Sequence, residues 1–243
     1  MLADDLRGMF YISLKDLKAY YFKPPNISWG ILFPFAFILA FAIRNPGDLR
    51  TLVPGLLALT MLFGTTSMEA IVIVFERRIG SLERLLLAPV RLPALLAGKL
   101  LGGMIFGLTV TLVVLVVSLA VFGAVGINWL ILFLALLLSA TAFSALGAFV
   151  SVSVREIFEA QTLANFIRFP MMFLCGVFVP ITSMPSWLQV IARFLPLTYS
   201  VEALRVAYSG GLWATAALDL GALALFSIVL FILAVKMLAK RQD

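Results

Sequence analysis

The sequence predicts an all-α integral membrane protein with six transmembrane helices. Three observations predict it. Of the 243 residues, 63% are hydrophobic and only 12% charged, whereas a soluble domain carries roughly 25% charged residues. The apolar residues fall into six stretches near the length of about 20 residues that crosses a bilayer as a helix. None alternates as a barrel strand does, so a helix is what satisfies each backbone in lipid. The cysteine count of one, Cys175, excludes an internal disulfide framework. The absence of histidine excludes His-ligated zinc or haem and Ser-His-Asp triads.

The chain opens MLADDLRGMFYISLKDLKAYYF, too polar for a cleaved signal peptide. Residues 6–22 predict an amphipathic helix in the membrane interface. Phe10, Leu14 and Leu17 recur at helical spacing, with Lys15 and Lys18 off that face. Tyr20, Tyr21 and Phe22 add an aromatic belt, and Pro24-Pro25 break the helix. Such a helix serves as a membrane anchor, or also touches a cytoplasmic partner.

The six spans are predicted at 27–43, 52–74, 100–122, 129–152, 163–179 and 218–238. The first is short and holds Pro34. The second contains Thr65, Thr66, Ser67 and Glu69, and the fifth contains Arg168 and Pro170. Charge inside a bilayer is costly, so such residues usually face the bundle interior. For Glu69 this leaves helix-end polarity or an inner-cavity role. Arg168 can snorkel its stem to the inner interface, or pair with Glu69. Gly103 and Gly107, and Ser144 and Ala148, are small residues four apart that let helices approach closely.

Orientation follows from the basic residues. With the N-terminus cytoplasmic, 14 of the 18 Lys and Arg fall inside. Both termini are then cytoplasmic, and the net charge of +6 is positive-inside bias, not a nucleic-acid footprint. The outer side keeps Arg44, Arg50, Arg193 and Arg205.

Two connections are more than loops. Residues 76–89 predict a cytoplasmic helix in which Ile79, Leu82 and Leu86 form a stripe, with Leu85 beside it. Glu76, Arg77, Arg78, Glu83 and Arg84 lie off the stripe and form no acid–base pair at i+3 or i+4. Pro89 and Pro93 end it. A plain positive-inside loop needs no such helix, which points to a docking surface. On the outer side, Pro180, Pro185 and Pro196 punctuate a stretch holding Trp187, Leu188, Val190, Ile191, Phe194 and Leu195. It is too short for two spans and too oily for water, which predicts short helices dipping into the outer leaflet.

Catalysis has little to work with. The sequence has no Gly-rich phosphate loop of the form GxxxxGK followed by Ser or Thr, and so no such route to ATP. A transport subunit is expected rather than an enzyme. The competing readings are an ATP-independent carrier or channel, which predicts broken mid-bilayer helices or an inverted repeat, and a membrane scaffold with no transported substrate.

Two motifs carry a resemblance. F-E-R-R-I-G-S-L-E-R-L-L-L-A-P-V, from residue 75, resembles the loop between the second and third spans of type 2 ABC exporter permeases, with Ser81 where Thr is common. Residues 171–205 resemble the family's fifth-span end, its Met-Pro-x-Trp, its Leu-Pro-Leu-Thr-Tyr and its Ala-Leu-Arg ending, with Cys175 where Ser is usual. The resemblance implies one permease domain over residues 1–243, working as a dimer with two cytoplasmic ATPase subunits. ATP and Mg would be bound by the ATPase, and this chain would hold no cofactor. Segment 76–89 would be the coupling helix, with Glu76, Arg77, Arg78, Gly80, Leu82, Glu83, Arg84, Leu86 and Pro89 at the ATPase. Segment 6–22 would be the connecting helix. Segment 181–205 would be a re-entrant outer gate, bounded by Pro180 and holding Pro185, Trp187, Leu188, Pro196 and Arg205. The path would run between two permease copies, along the second and fifth spans, and carry a drug, a lipid or a lipid-linked glycan.

Overall fold

A computed structural model describes residues 2–24, 26, 32, 36, 49–123 and 126–240. The first predicted span, 27–43, lies outside the continuously described residues. Helix α1 covers Leu2–Asp16 and continues as a wider π turn over Leu17–Tyr21. Then follow α2 (Leu49–Arg78), α3 (Ser81–Leu86), α4 (Leu92–Phe122), α5 (Trp129–Ser153), α6 (Ile157–Leu174), a 3-10 turn (Ile181–Ser183), α7 (Ser186–Arg193), α8 (Pro196–Tyr208) and α9 (Trp213–Lys240).

Four of these, α2, α4, α5 and α9, are long and apolar enough to cross a membrane among the described residues. They match the second, third, fourth and sixth predicted spans. Each runs longer than its apolar stretch because the flanking residues keep helical geometry beyond the hydrocarbon-length core. The fifth predicted span is different. Helix α6 starts at Ile157, stops at Leu174, and is not among those four. Glu156 caps its start, accepting from the third-residue backbone N–H while Glu159 reaches back to the Glu156 N–H.

Helix α5 is the centre of the bundle, packed against α2, α4, α8 and α9. Its run of small residues lets four neighbours approach. Ser139, Ala140, Ala142, Ser144, Ala145, Gly147 and Ala148 are all buried. Ser144 Oγ donates to the Leu100 carbonyl of α4 at 3.0 Å, and the Ser139 and Ser200 hydroxyls of α5 and α8 meet at 2.7 Å. The predicted packing faces are therefore real contacts. Gly107 sits against Thr65 and Met61 of α2, where a side chain would not fit.

Helix α1 lies on α4. A methyl at Gly98 would come within 2.9 Å of the Met9 backbone, so glycine is what allows that approach. Ile12, Ser13 and Asp16 face inward, while Leu6, Phe10 and Tyr11 are exposed. The expected belt is corrected at Tyr21. This ring is fully buried against Phe106, because its hydroxyl has a carboxylate partner in the bundle.

Candidate functional site

The elbow between α2 and α4 is built from two helices, not one. Helix α2 runs to Arg78, and the chain then turns at Gly80 with φ of 69°, which favours glycine. Short α3 follows, and Pro93 opens α4 instead of closing the elbow. This corrects the single helix expected over 76–89.

The stripe of α3 faces the bundle. Leu82 is 2% exposed and joins Ile73, Leu95, Leu96 and Leu100 in one cluster, with Leu85 and Leu86 packed beside it. Ile79 departs from the expected stripe and is 53% exposed, because the turn at Gly80 rotates it away. Arg78, Glu83, Arg84, Leu87 and Pro89 are also exposed. They make a mixed charged and apolar face with nothing from the described residues over it.

Glu76 and Arg77 do not belong to that face. Glu76 is fully buried, and Arg77 donates to the Val154 carbonyl at 3.1 Å, tying the end of α2 to the α5–α6 link. Glu76 pairs with both Lys15 of α1 and Lys99 of α4. Lys99 also reaches Asp16 at 3.1 Å, and Lys15 reaches Asp16 at 3.0 Å. Two carboxylates and two ammonium groups thus close a neutral cluster where α1, α2 and α4 meet. Buried ions need this mutual pairing to offset lost hydration. Burial pushes the Asp16 carboxyl above its ordinary 3.8, with Lys99 pulling the other way and Glu76 adding to the rise.

About two turns above, Glu69 of α2 accepts a hydrogen bond from Tyr21. Its carboxylate is walled by glycines. A Cβ at Gly103 would lie 2.7 Å from Glu69 Oε2, and one at Gly147 would lie 2.7 Å from Glu69 Cβ. The Glu69–Arg168 pair is absent, since each has other partners. Arg168 of α6 donates to Ser67, to Thr66 Oγ1 at 3.3 Å, to Asn165 Oδ1 at 2.7 Å and to the Ala164 carbonyl at 3.1 Å. Its guanidinium lies 4.9 Å from the Phe63 ring centre. Snorkelling is also corrected. Arg168 is 1% exposed, because the α2 hydroxyls take its donors inside the bundle. Thr65 does not join them; its hydroxyl returns to the Met61 carbonyl at 2.7 Å.

Sequence reasoning missed Asp16, Tyr21 and Lys99 as site residues. A signal existed for Asp16, which shares the inward face of α1 with Ile12 at i+4.

The predicted outer segment divides. Pro180 and Pro185 are exposed, and Pro185 caps α7. Trp187 is 64% exposed, Leu188 is half-buried, and Val190, Ile191 and Phe194 are exposed. Pro196 is buried at the start of α8, a helix built into the bundle through Leu197, Val201 and Leu204. Arg205 donates to the Gly176 carbonyl at 2.5 Å.

Four helices long and apolar enough to cross a membrane, around a small-residue core and with a charged elbow at one end, mark a multi-pass membrane protein. The ABC-2 type transporter family matches residues 8–209, and the chain belongs to that family. It is 31% identical over 195 residues to a protein of Cyanophora paradoxa called putative transport permease ycf38, covering 76% of this chain and 66% of that one. It is 30% identical over 117 residues to nodulation protein J of Rhizobium leguminosarum bv. viciae, covering 47% and 45%. It is 24% identical over 162 residues to the inner membrane transport permease YadH of Escherichia coli K12, covering 67% and 63%. The matched region thus spans less than two thirds of each of these relatives.

Proposed function

We propose that the chain is the membrane-spanning subunit of an ATP-driven exporter. A separate cytoplasmic ATPase would bind ATP and Mg and seat on the exposed face of α3. The observation that carries this reading is the elbow itself. It is uncovered on its outer side at Arg78, Glu83, Arg84 and Leu87, and wedged through Leu82 between the ends of α2 and α4. A push on that face reaches both helices directly, and through the Glu76–Lys15 and Lys99–Asp16 pairs it reaches α1 as well. The names of the relatives, transport permease and inner membrane transport permease, support transport and an inner-membrane site, and the distribution of Lys and Arg supports cytoplasmic termini.

A second permease copy, identical or paralogous, completes the path in this reading. Its surface would include the aromatic ridge Phe158, Phe166 and Phe173 on α6, all exposed. The 181–205 segment would act as the outer gate, and a hydrophobic or amphipathic cargo suits the Leu-, Val- and Phe-rich spans. The test is co-purification with an ATPase, then reconstitution in vesicles. Nucleotide-dependent export of a hydrophobic dye or lipid supports the proposal. Cargo flux with no ATPase supports a carrier instead, and ATPase binding with no flux of any cargo supports a scaffold.

A further inference from the structure

Helix α1 continues into the one π turn among the described residues, Leu17–Tyr21, closed by the Phe22 N–H on the Leu17 carbonyl at 3.1 Å. Such turns are rare and recur at functional sites. This one decides which tyrosine enters the bundle. Ile12 and Asp16 face inward four residues apart. In an α-helix the next inward position is Tyr20, and Tyr21 points about 140° away from Asp16. The wider turn brings residue i+5 back over residue i. Tyr21 is therefore fully buried, and Tyr20 is half-buried beside it. The two rings then serve two acids on one side of α2, about two turns apart. Tyr21 donates to Glu69 and packs on Phe106 with ring centres 5.6 Å apart. Tyr20 lies beside Glu76 and meets Phe75 edge-on at 5.8 Å. Glu69 Oε1 has no hydrogen-bond partner among the described residues, so Tyr21 is the donor that holds this carboxyl.

We propose that Leu17–Tyr21 is a register switch. In one register the wide turn seats Tyr21 on Glu69 and leaves Tyr20 beside Glu76. In the other the turn relaxes to α-helical geometry, and the Tyr21 N–H replaces the Phe22 N–H on the Leu17 carbonyl. Tyr20 then takes the inward place at Glu69, and Tyr21 swings out. The exchange needs no new room, since one tyrosine replaces another. It costs little backbone bonding, since one donor replaces the next. Asp16, immediately before the turn, is held by Lys15 and Lys99, and both lysines are held by Glu76. A displacement of that cluster therefore acts on the first residue of the switch. Under the exporter reading, on which this use of the switch rests, a push on α3 sets the register and so decides which tyrosine holds the second span.

The test uses the full chain in phosphatidylcholine nanodiscs, with fluorotyrosine at its five tyrosines, read by fluorine NMR. Two relaxation probes, a gadolinium chelate in water and oxygen in lipid, report the access of each ring. In the wild type Tyr21 should be shielded from both and Tyr20 partly open. Tyr21→Ala empties the inward place, so Tyr20 should move in. Its broadening by the probes should fall about tenfold, the population change that one buried hydrogen bond commands. Tyr21→Ser repeats this arm if the alanine variant does not fold, as judged by the lines of Tyr11, Tyr199 and Tyr208. Deleting Ala19 takes out the extra residue of the turn. Tyr21 then follows Asp16 by four residues and should stay shielded without a π turn. In that background Tyr21→Ala should leave Tyr20 where it was. If Tyr20 stays put in the Tyr21 variants, or moves equally with Ala19 deleted, the switch is refuted. No arm reads transport or an ATPase, so failure of the switch and failure of the exporter reading are distinguishable.

Discussion

Glu76 of α2 and Lys99 of α4 form an ion pair buried at the base of the bundle, and Asp16 of α1 shares the same lysine. Three helices distant in sequence are locked together immediately above the elbow. Any displacement of α3 must therefore move them as a unit or break a buried charge cluster.

The first prediction follows from that lock. Lys99→Met leaves two buried carboxylates facing one lysine, which should cost about 3–5 kcal/mol. Glu76→Gln added to Lys99→Met should recover much of it. Thermal unfolding in mild detergent measures both. A Lys99→Met protein as stable as the wild type means that the cluster contributes nothing.

The same cluster has a pH signature. Burial raises the Asp16 carboxyl above 3.8 in the folded protein. The folded state therefore binds that proton more tightly than the unfolded state. Its stabilising contribution is full below 3.8 and lost as pH rises through the folded value. Relative to Asp16→Asn, the wild type should lose stability as pH climbs above the ordinary carboxyl value of 3.8, as melting series on both proteins would show. A constant difference between them across that range contradicts the assignment.

Helix approach around Glu69 is tight enough to test by one methyl. Gly147→Ala places a Cβ 3.1 Å from the Thr66 backbone and 2.7 Å from Glu69 Cβ. Overpacking of this kind costs about 1–3 kcal/mol. An unchanged melting temperature would show that α2 and α5 can separate freely.

Charge reversal across the elbow addresses coupling. Glu83→Arg with Arg84→Glu keeps net charge and touches only exposed side chains. Membrane insertion and melting should be unchanged, while transport per ATP hydrolysed falls. Normal transport by the double variant removes α3 as the contact.

On the opposite side, Trp187→Arg puts charge on an exposed apolar face of α7. Export should fall while ATPase assembly persists, read by co-purification and flux in the same sample. Loss of assembly would make α7 a structural element.

The sequence by itself determined the class, the four long spans, the small-residue contacts of α5 and the existence of a charged elbow. These follow from local signals, since apolar length and residue size act within a single helix. Only the tertiary structure decided which charges face out. Glu76 and Arg84 look alike in the sequence, yet one is buried in an ion cluster and the other is exposed. The turn at Gly80 breaks the helical register between them, and partners such as Asp16 and Lys99 come from distant parts of the chain. Arg168 followed the same logic. Its place in a span was legible, but its burial and its hydroxyl partners on α2 were not, because hydrophobic spacing within α6 carries no information about which helix packs beside it.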